Sequence, residues 1–177
     1  MASQFSVRTE IAVGPDKQKD QHRRSATKPI VGWREVVALP ELGIGGIPAK
    51  IDTGARTSSL HAVNIDLFDR DGEEVARFDL DFGTTGSGAK PLCHCEAVRV
   101  AHRTITSSNG SAEERLIVKT LIAMGGIEYR AEFSLADRSD MVFPMLIGRT
   151  ALRKRFLVNP GRSFLVSDRD DAKEEFL

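Results

Sequence analysis

Cysteine is nearly missing from this chain. Cys93 and Cys95 are the only two among 177 residues, and they stand two positions apart. A disulfide framework of the secreted kind uses several spaced pairs, so that class is set aside and a reducing, cytoplasmic setting is expected. Net charge is missing too: Lys plus Arg (25) balances Asp plus Glu (25). No field of one sign is therefore available to recruit nucleic acid or an anionic membrane surface, and neither is expected as a partner. No apolar run approaches the roughly 18 residues of a transmembrane helix. Met1 to Pro29 lacks the apolar core of a signal peptide, and Gln, Lys, Asp and Arg crowd its second half. Two catalytic signatures are absent as well. The sequence contains no His-Glu-x-x-His pattern and no Gly-x-x-x-x-Gly-Lys-Ser/Thr loop, which leaves ATP binding unsupported.

What is present fits one globular domain. Hydrophobic residues make up 41% and charged residues 28%, and the length suits a single core. The expected division is a flexible polar leader over 1–29, a domain over 30–167 and a charged tail over 168–177. Within the domain, Glu35 to Leu39 reads as a strand interrupted by Pro40. Gly43-Ile44-Gly45-Gly46 reads as a tight turn feeding a strand from Ile47 to Ile51. His61 to Phe68 alternates and predicts a half-buried strand, joined through the turn Asp69-Arg70-Asp71-Gly72 to a partner from Glu74 to Phe82. Cys93 to Ala101, Leu116 to Ala123 and Ile127 to Leu135 are further strands, the last two joined at Met124-Gly125-Gly126. Thr150 to Phe156 alone looks helical. Short strands with turn signals at roughly 8–12-residue spacing favour an all-β barrel or sandwich.

Chemistry concentrates at Ala49-Lys50-Ile51-Asp52-Thr53-Gly54-Ala55-Arg56-Thr57-Ser58-Ser59-Leu60. Here an apolar strand ends on a carboxylate, a hydroxyl and a glycine. A strand end holds a carboxylate rigidly, and Gly54 lets the turn backbone approach what it holds. Thr53 is expected to fix the loop by bonding a neighbouring backbone. Such a carboxylate suits proton sharing: two in contact cannot both ionise, so one serves as acid while the other activates water. The tripeptide alone is also a common turn. Downstream, Met145-Leu146-Ile147-Gly148-Arg149 is an apolar run ending in glycine at the start of the predicted helix.

Together these two segments resemble the retropepsin family, in which an Asp-Thr-Gly-Ala loop is packed by a later apolar-apolar-Gly-Arg segment and helix. The longer stretches through Ala62, and from Phe156 to Phe164, resemble a bacterial subfamily labelled "ATP-dependent zinc proteases" or retropepsin-like peptidases. Some of its members are associated with glutamate ligases that modify a ribosomal protein. The resemblance implies a closed, retropepsin-like all-β barrel with one short C-terminal helix. It also implies an aspartic endopeptidase site at Asp52, Thr53 and Gly54. No second Asp-(Thr/Ser)-Gly loop occurs in the sequence, so the second aspartate is expected from another copy in a homodimer.

Gly86, Ser87 and Gly88 lie in a glycine-rich stretch that is a candidate flap over the substrate, or an ordinary hairpin tip. Arg56 replaces the acidic residue of retroviral enzymes. It either pairs with an acidic peptide, such as a glutamate-modified ribosomal protein, or opposes proton sharing by Asp52. Zinc is tested on His61, Cys93, His94 and Cys95. On a strand, Cys93 and Cys95 share one face and His94 takes the other, so at most two could reach one metal without distortion; no cofactor is expected, with zinc as the alternative. Three functions compete: an aspartic endopeptidase, a non-catalytic peptide-binding module on the same fold, and a zinc hydrolase.

Overall fold

Period-two burial and tight turns build nearly all of the described residues. A computed structural model describes residues 27–81, 84–85, 88–89, 92–106, 110 and 112–171. The candidate flap residues Gly86 and Ser87 lie outside them, as does the leader through residue 26. The first strands are β1 (Ile30–Val31), β2 (Arg34–Leu39), β3 (Ile44–Asp52), β4 (Ser58–His61), β5 (Val63–Arg70) and β6 (Glu73–Leu80). Two short strands, β7 (Thr84–Thr85) and β8 (Gly88–Ala89), pair with each other and place Gly88 opposite Thr85. Then come β9 (Cys93–Thr106), β10 (Ala112–Met124), β11 (Ile127–Ala136), β12 (Met145–Gly148), the helical turn α1 (Arg149–Leu152) and β13 (Leu157–Val158).

Six strands close on themselves in the order β11-β4-β12-β3-β2-β10, with β10 returning to β11. The apolar faces of this ring meet inside. Leu39, Ile47, Leu60, Ile117, Ile122, Phe133, Met145 and Ile147 are all essentially without solvent contact. Closure removes the unpaired edges that an open sheet of this size would present. From β10 the sheet continues outward as an arm, β9-β6-β5. The result is an all-β ring with an arm, and a single α-helical turn among the described residues.

The turns obey simple backbone chemistry. Asp71 and Gly72 both take positive φ, and Gly72 N–H is held by Asp69 Oδ1 at 3.0 Å. Gly125 and Gly126 do the same between β10 and β11, at φ +58° and +74°. Two consecutive left-handed residues match the twist of the flanking strands, which explains these hairpins.

Several expectations need correction. Gly45 and Gly46 belong to β3 rather than to a turn; only Gly43 turns the chain, at φ +72° after a short 3₁₀ turn at Pro40–Leu42. The stretch from His61 to Phe68 is not one half-buried strand. It divides at Ala62 into the end of β4, buried throughout, and β5, which is largely exposed because it is the outermost strand of the arm. The helix spans Arg149–Leu152 rather than Thr150 to Phe156, since Lys154 turns left-handed at φ +73° and breaks it.

One buried acid fastens the C-terminal segment to the ring. Glu35 on β2 is fully buried and accepts from Gly32 N–H at 2.6 Å, Leu165 N–H at 2.9 Å and Ser167 Oγ at 2.6 Å. Ser167 Oγ in turn accepts from Val36 N–H at 2.8 Å. Removing the carboxylate orphans buried donors, each worth about 1–3 kcal/mol. Glu35→Ala is therefore expected to lose roughly 3 kcal/mol or more, read as a lower denaturant midpoint at unchanged slope.

Candidate active site

The Asp52 loop is built by an insertion. The chain leaves β3 at Asp52, turns through residues 53–57 and returns as β4, but β12 lies between these two strands. It runs parallel to β3 with Gly148 opposite Asp52, and antiparallel to β4. The apolar run Met145-Leu146-Ile147 thus fills the middle of the ring and carries Gly148 directly behind the loop. A Cβ at Gly148 would stand 2.6 Å from the Thr57 carbonyl carbon and 2.7 Å from its oxygen. Only glycine fits there. Gly148 N–H also donates to buried Ser58 Oγ at 3.1 Å.

The residue after that glycine ties the loop shut. Arg149 Nη1 donates to the carbonyls of Thr53 (2.9 Å) and Gly54 (2.8 Å), and Arg149 N–H donates to the Ala55 carbonyl at 2.9 Å. Thr150 donates to the Arg56 carbonyl through both its N–H and its hydroxyl. The Thr53 side chain was expected to do this fixing, yet Thr53 is exposed and its hydroxyl makes no hydrogen bond among the described residues. The Arg149 guanidinium, five donors in a planar fork, does the work instead.

Asp52 Oδ1 accepts from Gly54 N–H at 2.9 Å and Ala55 N–H at 3.1 Å, while Oδ2 meets Lys50 Nζ at 3.2 Å. The side chain stays 24% exposed, enough to be reached from outside. Partial burial pushes its pKa up, but the Ala55 and Gly54 donors and the Lys50 ammonium outweigh this and hold it below the usual 3.8. A lowered folded pKa stabilises above the unfolded value, and that contribution disappears as pH falls through the folded one. The stability difference between the wild type and Asp52→Asn, followed by denaturant titration, should accordingly shrink between about pH 5 and pH 2.

Arg56 is exposed, and its side chain makes no hydrogen bond or ion pair among the described residues; the fold uses only its carbonyl. Arg138, after β11, is partly buried and donates through Nε to the Phe143 carbonyl at 3.3 Å. Burial pulls its pKa down, the nearby Arg115 adds to this, and the field of Asp52 opposes it. Lys50 and Arg138 were not singled out from the sequence, and Arg149 was noted only as the arginine of the Gly-Arg segment, without its grip on the loop carbonyls. Of these, Lys50 was legible from its period-two relation to Asp52.

The four metal candidates are not brought together. His61 is buried at the end of β4, where its Nδ1 accepts from Arg138 N–H at 2.8 Å. His94 lies on the arm, paired through Nδ1 with Asp79, which also holds Asn64 Nδ2 at 2.8 Å. These two bonds, Asn64 first, hold the Asp79 carboxyl below its ordinary range. Cys93 and Cys95 face the opposite side, cross-strand from Leu80 and Phe78. Burial, reinforced by Cys93 and Asp79, pushes the Cys95 thiol up to about 12, far from a ready thiolate ligand. Among the described residues no three His, Cys, Asp or Glu side chains converge as a metal site. These residues do not fit zinc.

Comparison with known proteins identifies the family. The chain is 40% identical over 153 residues to a probable alpha-L-glutamate ligase of Shewanella pealeana, covering 86% of this chain and 33% of that protein. A protein of the same description from Parasynechococcus marenigrum is 34% identical over 141 residues, covering 80% and 30%. The chain thus spans about a third of the length of the curated relatives it matches. A crystal structure of a Legionella pneumophila protein of unknown function superposes with a TM-score of 0.66 at 28% identity, covering 78% of this chain and 98% of that one. A family described as the retropepsin-like aspartic endopeptidase RimB matches residues 30–169, which include the ring, the arm and the Asp52 loop. The chain belongs to the RimB-like family of retropepsin-like aspartic endopeptidases.

Proposed function

We propose that the chain is an aspartic endopeptidase whose catalytic dyad is Asp52 from each of two copies. The observation that carries this is the loop itself: a partly exposed carboxylate at a strand end, with one oxygen fixed by two backbone donors and the other held only by the half-exposed Lys50 ammonium. In such a dyad one carboxyl keeps a proton while the other is ionised. As water adds to the peptide carbonyl, its proton passes to the ionised carboxylate and the carbonyl oxygen takes the proton of the other. Proton transfer to nitrogen and cleavage of the C–N bond then give a carboxylic acid and an amine, and the dyad returns to its starting state.

The substrate class follows from charge and from the relatives. Arg56 stands beside the loop without an ion-pair partner among the described residues, and the matched relatives are named as glutamate ligases. An extended acidic peptide, such as the glutamate tail of a modified ribosomal protein, fits both. The two unpaired cysteines support a cytoplasmic setting. No helix among the described residues is long and apolar enough to cross a membrane. Neither metal nor nucleotide forms part of the proposal.

Mixing tests the shared site. With Asp52→Asn in threefold excess over the wild type under conditions of subunit exchange, activity per wild-type chain should fall to roughly a quarter. Unchanged activity, or a fully active monomer in sedimentation, would overturn the proposal. A peptide-binding module without turnover is the second reading, favoured by the Ala55 and Gly54 donors and the Lys50 ammonium that hold Asp52 ionised. It predicts peptide binding with no cleavage under any condition.

A further inference from the structure

Lys50 and Asp52 are two residues apart on β3, so both side chains leave the same face of the strand. Lys50 Nζ lies 3.2 Å from Asp52 Oδ2. Since Oδ1 is already taken by Gly54 and Ala55, the ammonium covers the oxygen still available to water or to a second carboxylate. A covered carboxylate with a cation on its outer oxygen is a poor partner in a shared proton. The cover is weak, however. Lys50 is 47% exposed, makes no other side-chain bond among the described residues, and sits on a flexible four-carbon stem.

Four further cations belong to the segments that carry or flank this pair. Arg34 lies directly across on β2, turned onto the rings of Trp33 and Phe164. Arg56 extends from the loop, Arg149 grips the loop carbonyls, and Arg138 feels the field of both Asp52 and Arg115. Of all these cations, Lys50 is the one in contact with the reacting oxygen, at 3.2 Å.

We propose that Lys50 is a displaceable cover on Asp52, removed by an acidic side chain of the bound peptide. The substrate's carboxylate takes over Lys50 Nζ, and Asp52 Oδ2 is released to share a proton with its counterpart. This rests on the reading of Asp52 as half of a dyad. It makes acidic preference a property of catalysis as well as of binding. A glutamate beside the scissile bond assembles the competent site, while its neutral isostere glutamine leaves the cover in place. The hydrolysis itself consumes only water.

Two arms test this with the full chain, using peptides identical except for Glu or Gln flanking the scissile bond. In the first, the wild type should favour the Glu peptide in kcat/KM by about tenfold. Lys50→Met should bring the ratio close to one and move the alkaline limb of kcat/KM to higher pH, because the cation that favours ionised Asp52 is gone. Lys50→Arg should keep the preference. The second arm needs no turnover. Asp52→Asn removes the group that competes for Lys50, so it should bind a poly-glutamate peptide about threefold or more tightly than the wild type does. In Lys50→Met, adding Asp52→Asn should produce no such gain. A Glu/Gln ratio unchanged in Lys50→Met, or the same gain with and without Lys50, would overturn the cover. Absence of cleavage by every variant, with the binding pattern intact, would instead overturn the peptidase reading and leave Lys50 as an acidic-peptide contact.

Discussion

Asp52→Asn is expected to lower peptide hydrolysis by at least roughly 10²- to 10⁴-fold, the range carried by general acid–base groups, while leaving a folded protein. The two parts of this prediction have separate causes. Asparagine keeps an oxygen where Oδ1 accepts the Gly54 and Ala55 N–H groups, so the loop retains its internal bonds. It can neither take a proton from water nor hold one to deliver, and in a symmetric dimer both halves of the dyad are lost together. Only the contact to Lys50 is sacrificed in the fold, and exposed pairs of that type are worth well under about 1 kcal/mol. Activity in single-turnover assays and the denaturant midpoint should be measured on the same preparation. Residual activity within tenfold of the wild type would mean that the reacting carboxylate is elsewhere.

Gly148→Ala carries the second large effect, on both stability and catalysis. The added methyl meets the Thr57 carbonyl at 2.6–2.7 Å and the Arg56 carbonyl carbon at 3.0 Å, all backbone atoms that have no rotamer through which to yield. Overpacking of this type costs about 1–3 kcal/mol, and the upper part of the range is expected because relief requires moving the loop. Any such movement also disturbs the Arg149 bonds to Thr53 and Gly54, and with them the position of Asp52. Catalysis should then drop about a hundredfold even at temperatures where the variant is fully folded. A variant that is destabilised yet fully active would show that the Asp52 loop does not depend on the packing behind it.

How much of this was readable beforehand depends on the distance over which each contact acts. The hairpin at Asp71-Gly72 was legible because two positive-φ residues in a row demand that chemistry locally. The strand ending at Asp52 was legible from its apolar residues and the polar loop after it. Met145 to Gly148 was visible as an apolar run, but four residues have no period of their own, and nothing local says that they insert between β3 and β4. The helix was drawn too long for a related reason. Ala151, Leu152 and Phe156 have helical spacing, yet Phe156 is buried after Lys154 has already left the helix. The alternation of Ile65 and Leu67 suggested a buried face, and only the position of β5 at the outside of the arm explains why both remain exposed. At the site, Asp52 and Arg56 were apparent from sequence, whereas the grip of Arg149 on the Thr53 carbonyl joins residues 96 positions apart.

That separation bears on when the Asp52 loop reaches its final form. Strand β12 is the wedge on which the Asp52 loop is built, and closing a loop of such length is entropically slow compared with forming the hairpins around it. The Asp52 segment can pair with nothing behind it until the late strand has been inserted, so a half-folded chain holds its carboxylate on an unbraced turn. Chain order thus acts as a timer: β12, being synthesised late, braces the Asp52 loop only once it has been inserted between β3 and β4.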